Sequence, residues 1–254
     1  MRRIFITGCP RSGTTMLRDS LTCDPRFFIF NEAQLFNPEP VLSIFDRVRN
    51  YKPSHTYVKA KRLDFYIDTW IKSCATFPEF VDKVENCVKE NFKEVEFFGD
   101  KNPHIYLHGL TRILKLNPGI VGLVMIRDGR SVISSQLRGL ENEKPWWAIS
   151  AISEPRVRLW EESMAVLFEQ IGQLNTMKKR IHIIRYEDFV TNTKVELKKI
   201  STFLELKREL SFLCSHVSHT DSLTLWRNNV LNLATSPLAT DRFKLFMKLL
   251  GYIE

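Results

Sequence analysis

The eight residues GCPRSGTT at positions 8–15 constrain the fold more than any other feature of this sequence. They follow the apolar, β-branched run RRIFITG and precede GTTMLRDSLTC, whose apolar residues have helical spacing. A strand, a glycine-containing loop and a helix in this order form a cradle whose backbone N–H groups bind phosphate or sulfate. The start of the chain therefore predicts an anion-binding loop at the end of a buried strand.

This loop lacks the lysine that nucleoside triphosphatases carry after the second glycine. Thr14 and Thr15 follow that glycine instead, and Arg11 is the only cation in the loop. No apolar run ends in an aspartate suited to hold a catalytic metal ion, since Asp100 is followed at once by Lys101. The loop therefore predicts metal-independent transfer of a group that carries less charge than phosphoryl.

Three later apolar runs, at 94–101, 119–130 and 180–189, predict further strands, and each precedes a helical pattern. Near-continuous apolar strands that alternate with helices are typical of an α/β fold, here a parallel β-sheet flanked by helices on both faces. The longest helix is expected from Pro155 to Lys178, because proline suits a first helical turn.

The chain length predicts one domain over residues 1–254, with a single substantial core. Residues 33–93 look mostly helical and are expected to cap the sheet, and residues 205–254 form a C-terminal segment without a clear pattern. We find no internal repeat and no low-complexity linker.

Composition narrows the class of partner and the compartment. The excess of 37 Lys and Arg over 29 Asp and Glu favours an anionic ligand, but the basic residues are scattered, which argues against nucleic acid. The five cysteines show no metal-binding spacing and are expected to be reduced thiols. Without a signal peptide or a transmembrane run, the chain as written is expected to be cytoplasmic.

A second motif, IRDGRSVISS at 126–135, follows the strand predicted before it. Arg127 stands at the strand end, and Ser135 lies about two turns into the next helix. An arginine and a hydroxyl placed in this way suit a second phosphate group. Arg130 is expected to support this site from outside rather than to contact the ligand.

Together the two motifs resemble the sulfotransferases that use 3′-phosphoadenosine 5′-phosphosulfate (PAPS) and share a P-loop sulfotransferase fold. Residues 4–21 resemble the family's 5′-phosphosulfate loop and residues 120–137 its 3′-phosphate motif, with weaker likeness at 99–107 and 180–204. PRSGTT, NE at 31–32 and DKNP at 100–103 are most similar to the tyrosylprotein sulfotransferase branch. The resemblance implies transfer of a sulfuryl group from PAPS to an acceptor hydroxyl, without a metal, and release of 3′-phosphoadenosine 5′-phosphate (PAP).

The resemblance also implies roles for individual residues. Arg11 would bind the 5′-phosphosulfate and stabilise charge on the bridging oxygen, and Lys101 would face the sulfuryl group as a second cation. Arg127 and Ser135 would bind the 3′-phosphate. The residues expected to cradle the 5′-phosphate are Ser12, Gly13, Thr14 and Thr15.

Two residues are candidates for the general base that takes the acceptor's proton. Glu32 lies 21 residues after Arg11, past one helix and the short strand FFIF, so the chain returns to the edge of the sheet that carries the loop. A glutamate acts as base in the tyrosylprotein branch. His104 lies three residues after Lys101, which is similar to the lysine and histidine of cytosolic sulfotransferases. We favour Glu32.

Three further features remain open in the sequence. Tyr186 in RYEDF is expected either beside adenine or in the core, and Thr224 and Arg227 in LTLWRN resemble a segment near the 3′-phosphate. Trp146 and Trp147 are expected on a loop, as a lid over the acceptor or as a local hydrophobic contact.

The acceptor and the competing functions stay open as well. A small molecule, a glycan, a lipid and a protein tyrosine are all compatible with the sequence, as is a homodimer. Tyrosylprotein sulfotransferases work in the secretory lumen behind a membrane anchor, which this sequence does not show. The alternatives to sulfuryl transfer are an atypical P-loop kinase, which would need magnesium and ATP, and a non-catalytic module that binds PAPS or PAP.

Overall fold

The computed structural model describes residues 1–36, 74–141, 146–210 and 240–254. Within them, five short strands formed by apolar and β-branched runs carry the fold. The strands are β1 (Arg2–Gly8), β2 (Phe27–Asn31), β3 (Phe97–Lys101), β4 (Val121–Ile126) and β5 (Ile181–Arg185).

The strands form one parallel sheet in the order β2-β3-β1-β4-β5. In the centre of this sheet, Ile6 lies opposite Lys101 on one side and opposite Leu123 on the other. The carboxyl ends of all five strands therefore meet at one edge. The chain builds β2 and β3 on one side of β1 and then β4 and β5 on the other, so the direction of the connections changes between β1 and β4. Open α/β sheets bind their ligands at such a switch point.

The helices within the described residues occupy the connections between strands and the C-terminal region. A 3₁₀ helix at Asn175–Arg180 precedes β5. The α-helices are α1 (Thr14–Thr22), α2 (Phe77–Asn91), α3 (Ile105–His108), α4 (Leu110–Leu116), α5 (Gly129–Glu141), α6 (Trp146–Gln173), α7 (Tyr186–Thr191), α8 (Thr193–Phe203) and α9 (Asp241–Leu249).

The sheet separates two apolar layers, because successive side chains of a strand point to opposite faces. Phe5 of β1 joins the layer that contains Trp160 of α6, whereas Ile4 and Ile6 join the layer that contains Leu17 of α1. Each fully buried side chain of this size contributes about 1.5–3 kcal/mol. The prediction of an α/β fold with helices on both faces is confirmed.

The longest helix begins earlier than we predicted. It spans Trp146–Gln173, so Pro155 lies inside it and not at its start. The apolar spacing was read correctly, since Val157, Trp160 and Met164 are buried against the sheet. Their packing offsets the backbone hydrogen bond that an interior proline removes.

This boundary also corrects the expected position of the two tryptophans. Trp146 and Trp147 are the first residues of α6 and do not lie on a loop.

The two segments that were hardest to interpret are described only in part. Within residues 33–93, helix α2 begins after the capping hydroxyl of Thr76 and buries one apolar face in the core. Within the C-terminal segment, α9 packs Phe243 on Trp160, with 4.9 Å between ring centroids. Residues 37–73 and 211–239 lie outside the described residues, as do the candidates Thr224 and Arg227.

The cysteines correct one expectation. Cys9, Cys74 and Cys87 carry free, buried thiols, but Cys23 is disulfide-bonded, so the prediction that all five thiols are reduced is wrong at this residue. Since disulfides persist in oxidising compartments, the cysteines no longer argue for a reducing one. Among the helices of the described ranges, none combines the length and the hydropathy of a membrane span.

Candidate active site

A cleft of about 290 Å³ opens at the carboxyl edge of the sheet, beside the switch point between β1 and β4. Nine of the residues singled out from the sequence line it. The lining residues are Pro10, Arg11, Gly13, Thr14, Thr15, Met16, Glu32, Lys101, Pro103, Arg127, Ser135 and Tyr186. Residues at or just past the ends of all five strands, and residues of the helices α1, α5 and α7, thus meet in one place.

The glycine loop between β1 and α1 requires both of its glycines. A Cβ on Gly8 would lie 2.3 Å from the Met125 carbonyl oxygen, so only glycine lets β1 approach β4 so closely. Gly13 caps α1 with a left-handed φ of 100°. The first N–H groups of α1 have no acceptor within the helix. The residues that carry them, Thr14, Thr15 and Met16, line the cleft at the positive end of the helix dipole. The loop has the geometry of an anion site.

Arg11 connects this loop to the second motif. Its Nε donates to Ser135 Oγ of α5 at 3.2 Å, although the two residues are 124 positions apart. Ser12, in contrast, turns its hydroxyl under the loop towards Gly8, where it is buried and has no hydrogen-bond partner among the described residues. Arg11 therefore offers its guanidinium to the cleft, whereas Ser12 does not line the cleft and donates its backbone N–H to the Cys9 carbonyl oxygen at 3.0 Å.

Arg127 is held in the cleft wall by the loop and by Tyr186. Its Nη1 donates to the Arg11 carbonyl oxygen at 3.1 Å, and its guanidinium carbon lies 4.0 Å from the centre of the Tyr186 ring. Burial lowers the pKa of this guanidinium, although arginine stays charged at any physiological pH. A buried arginine at the end of β4 is thus preorganised to meet an anion.

Tyr186 is a core residue that also reaches the cleft. The side chain is buried, with its ring against the backbone of Gly13, so it belongs to the core. The same side chain borders the cleft. It fixes the relative positions of the glycine loop and of Arg127, which come from opposite sides of the switch point.

Glu32 and Lys101 form an ion pair at the ends of the neighbouring strands β2 and β3. Lys101 Nζ lies 2.6 Å from Glu32 Oε1, and the Glu32 N–H donates to the Lys101 carbonyl oxygen at 2.7 Å. The lysine side chain is 2% exposed, whereas the glutamate side chain is 47% exposed. The carboxylate is therefore held from behind by a buried cation and remains accessible from the cleft.

His104, the alternative base, has a different environment. It is exposed at the start of α3, and its ring packs on the ring of His108 with 4.4 Å between centroids. It does not belong to the cleft lining. The geometry therefore favours Glu32 over His104 as the residue that an acceptor hydroxyl in the cleft would contact.

Comparisons with known proteins agree with this geometry. The model of the sulfotransferase family matches residues 3–209, which include every residue of the cleft. The chain belongs to the sulfotransferase family. It is 25% identical over 220 residues to a Caenorhabditis briggsae protein named "Putative protein-tyrosine sulfotransferase", a match that covers 84% of this chain and 69% of that protein.

Two solved sulfotransferase domains share the fold. A domain from the curacin biosynthetic pathway superposes with a TM-score of 0.67 at 21% identity, covering 98% of this chain and 97% of the domain. A domain of the Synechococcus PCC 7002 olefin synthase superposes with a TM-score of 0.63 at 20% identity, covering 99% of this chain and 94% of the domain. The expected family and architecture are thereby confirmed.

Sequence reasoning missed a residue that braces the second motif of this sulfotransferase. Glu187 accepts hydrogen bonds from the Asp128 backbone N–H at 3.0 Å and from the Tyr252 hydroxyl at 2.9 Å. Arg130 pairs with Asp128 at 2.6 Å, which agrees with its expected place outside the site. The signal in the sequence is that Glu187 follows Tyr186 directly in RYEDF.

Proposed function

We propose that this chain transfers a sulfuryl group from PAPS to an acceptor hydroxyl and releases PAP, without a metal ion. The observation that supports this most is the donor set of the cleft, which joins the cations Arg11, Lys101 and Arg127 to the accessible carboxylate of Glu32. When bound, PAPS supplies a sulfuryl group whose bond to the bridging oxygen breaks as a bond from sulfur to the acceptor oxygen forms.

The residues present suit a ligand with two anionic ends. The glycine loop, the N-terminus of α1 and the hydroxyls of Thr14 and Thr15 would hold the 5′ end. Arg127 and Ser135 would hold the 3′-phosphate, with Tyr186 beneath the guanidinium. Arg11 lies between these two sets of residues, because its side chain reaches from the glycine loop and donates to the Ser135 hydroxyl.

Arg11 and Lys101 would then stabilise the charge that develops on the bridging oxygen. Fixed donors aimed at developing charge are usually the largest catalytic contribution, and single donors are worth about 3–4 kcal/mol. Lys101 is suited to this because burial and its ion pair with Glu32 fix its side chain before any ligand binds. Such preorganisation avoids a reorganisation cost during the reaction.

Glu32 would accept the proton of the acceptor hydroxyl. Its carboxylate is reachable from the cleft, and the ion pair with Lys101 keeps it oriented. A general base must reach the proton it removes, and the exposed position of His104 outside the cleft is less suitable. For the acceptor, the relative's name makes a tyrosine hydroxyl one class to test, beside hydroxyls of small molecules, glycans and lipids.

Calorimetric titration with PAP, AMP and magnesium-ATP tests this function. A charge-assisted hydrogen bond is worth about 1.5–3 kcal/mol, so PAP should bind on the order of 10–100-fold more tightly than AMP. Ser135→Ala should reduce this preference. The matched control is Thr202→Ala, since Thr202 donates its hydroxyl to the Lys198 carbonyl within α8 and neither residue lines the cleft.

Three results would contradict the proposal. Equal affinity for PAP and AMP would show that no site recognises the 3′-phosphate. Tight, magnesium-dependent binding of ATP would favour the atypical kinase. Tight PAP binding without turnover of PAPS on a panel of phenols, alkyl alcohols, glycans and tyrosine peptides would favour a non-catalytic binding module.

A further inference from the structure

The segment that follows β2 has an unusual backbone. Glu32 and Gln34 both have left-handed conformations, with φ of 61° and 57°. Residues other than glycine avoid this region, and two of them within three residues require the surrounding structure to hold them. The strained segment begins with the residue proposed as the base.

A buried carboxylate lies beneath this segment. Asp100 Oδ1 accepts the Ala33 N–H at 3.1 Å, and Oδ2 accepts the Leu35 N–H at 3.4 Å. The Gln34 N–H also points to this carboxylate. Successive N–H groups that converge on one anion form a nest, and here the anion is a side chain of the protein.

Tyr106 of α3 completes the arrangement. Its hydroxyl donates to Asp100 Oδ2 at 2.5 Å and accepts the Phe36 N–H at 3.0 Å. Asp100 and Tyr106 are both fully buried, and neither lines the cleft. Together they bind the backbone of four consecutive residues, 33–36, from the side of the sheet opposite α1.

We infer that Asp100, supported by Tyr106, is a positioning residue that fixes Glu32 in the cleft through the backbone that follows it. Lys101 holds the N–H of Glu32 and its carboxylate, while Asp100 holds the next three N–H groups. Glu32 is thus anchored on both sides by two adjacent residues of β3. This inference rests on the proposed function of Glu32 as the base.

Asp100→Asn tests the inference with little change of shape. An asparagine keeps one oxygen and replaces the other by an N–H₂ group, so the backbone N–H on that side, of Ala33 or of Leu35, loses its acceptor. Amide hydrogen exchange at residues 33–36 should become at least about 10-fold faster. Tyr106→Phe should accelerate exchange at Phe36 most, since that N–H loses the hydroxyl.

A matched control separates positioning from general destabilisation. Asp24 is also a buried aspartate, and it accepts the Arg26 N–H and pairs with the Arg26 guanidinium at the other end of β2. Asp24→Asn should lower the melting temperature but leave exchange at 33–36 unchanged. Equal protection of these amides in Asp100→Asn and wild type would overturn the inference, whatever the reaction is.

Kinetics test the connection to Glu32. With PAPS and the best acceptor of the panel, Asp100→Asn should lower kcat on the order of 10²-fold, with PAP affinity and acceptor KM within about twofold of wild type. In a Glu32→Gln background the same substitution should have no further effect. An equal loss in both backgrounds would refute positioning through Glu32. Full activity of Glu32→Gln alone would instead refute Glu32 as the base, and the exchange experiment would still decide whether Asp100 holds the segment.

Discussion

Gly13→Ala should damage the site and the fold together. Gly13 has a φ of 100°, a conformation that an alanine adopts only under strain. A Cβ at this position would lie 2.4 Å from Cδ2 and 2.7 Å from Cε2 of Tyr186. The ring has little room to withdraw, because it is buried and has Arg127 against its face.

The size of the effect follows from these two contributions. The left-handed backbone costs an alanine about 1–2 kcal/mol. Forcing a methyl group into a packed contact costs about 1–3 kcal/mol more. The free energy of unfolding should therefore fall by about 2–5 kcal/mol, which lowers the melting temperature of a chain of this size by about 4–20 °C.

Scanning calorimetry without and with PAP measures both consequences. Gly172→Ala is the matched control, since a Cβ there would meet no atom within 4 Å in α6, and the variant should melt at or slightly above the wild-type temperature. Tyr186→Leu in the Gly13→Ala background should recover the steric part of the loss but not the backbone part. A Gly13→Ala variant with wild-type melting and wild-type PAP affinity would refute this account of the loop.

Two further predictions concern the carboxylates at the ends of β2 and β3. Glu32→Gln should lower kcat by about 10²–10⁴-fold with donor affinity near wild type, whereas His104→Asn should stay within a few-fold of wild type in the same steady-state assay; the reverse pattern would assign the proton transfer to His104. Burial raises the pKa of Asp100 from 3.8 to about 6, so its contribution to stability is present below pH 4 and is lost as the pH rises through 6. Urea denaturation from pH 4 to 8 should therefore show wild type losing about 3 kcal/mol relative to Asp100→Asn, and a constant difference between the two would contradict the raised pKa.

Much of this site was predictable because its residues follow strands. In a parallel sheet, side chains just past the carboxyl ends of different strands meet at one edge. Arg11, Glu32, Lys101 and Arg127 each stand at or after an apolar run in the sequence, and the structure gathers them in one cleft. The order of strands was not needed for this prediction.

The direction of a side chain and the exact start of a helix could not be predicted from the pattern of residue types, because both depend on the tertiary structure. Ser12 belongs to the loop motif, yet its hydroxyl is buried beside Gly8 and does not line the cleft. The start of α6 was misplaced because Pro155 looked like a first-turn residue, although its downstream packing allows it inside a helix. In α6, tertiary packing thus overrides the local preference of a proline.

The role of Asp100 also depends on the tertiary structure, because its place in β3 decides what its carboxylate contacts. At the sequence level its carboxylate is a poor candidate for holding a metal ion, because Lys101 follows it directly. In the sheet, this adjacency is what makes the two residues complementary. Successive side chains of β3 point to opposite faces, so Lys101 reaches the Glu32 carboxylate while Asp100 reaches the backbone N–H groups after it. Since Asn31 lies opposite Lys101 in the parallel register, Glu32 is the first residue past the pairing and the first whose backbone is free to turn. A charged dipeptide at the end of one strand can therefore fix both the side chain and the backbone of a carboxylate at the end of the next.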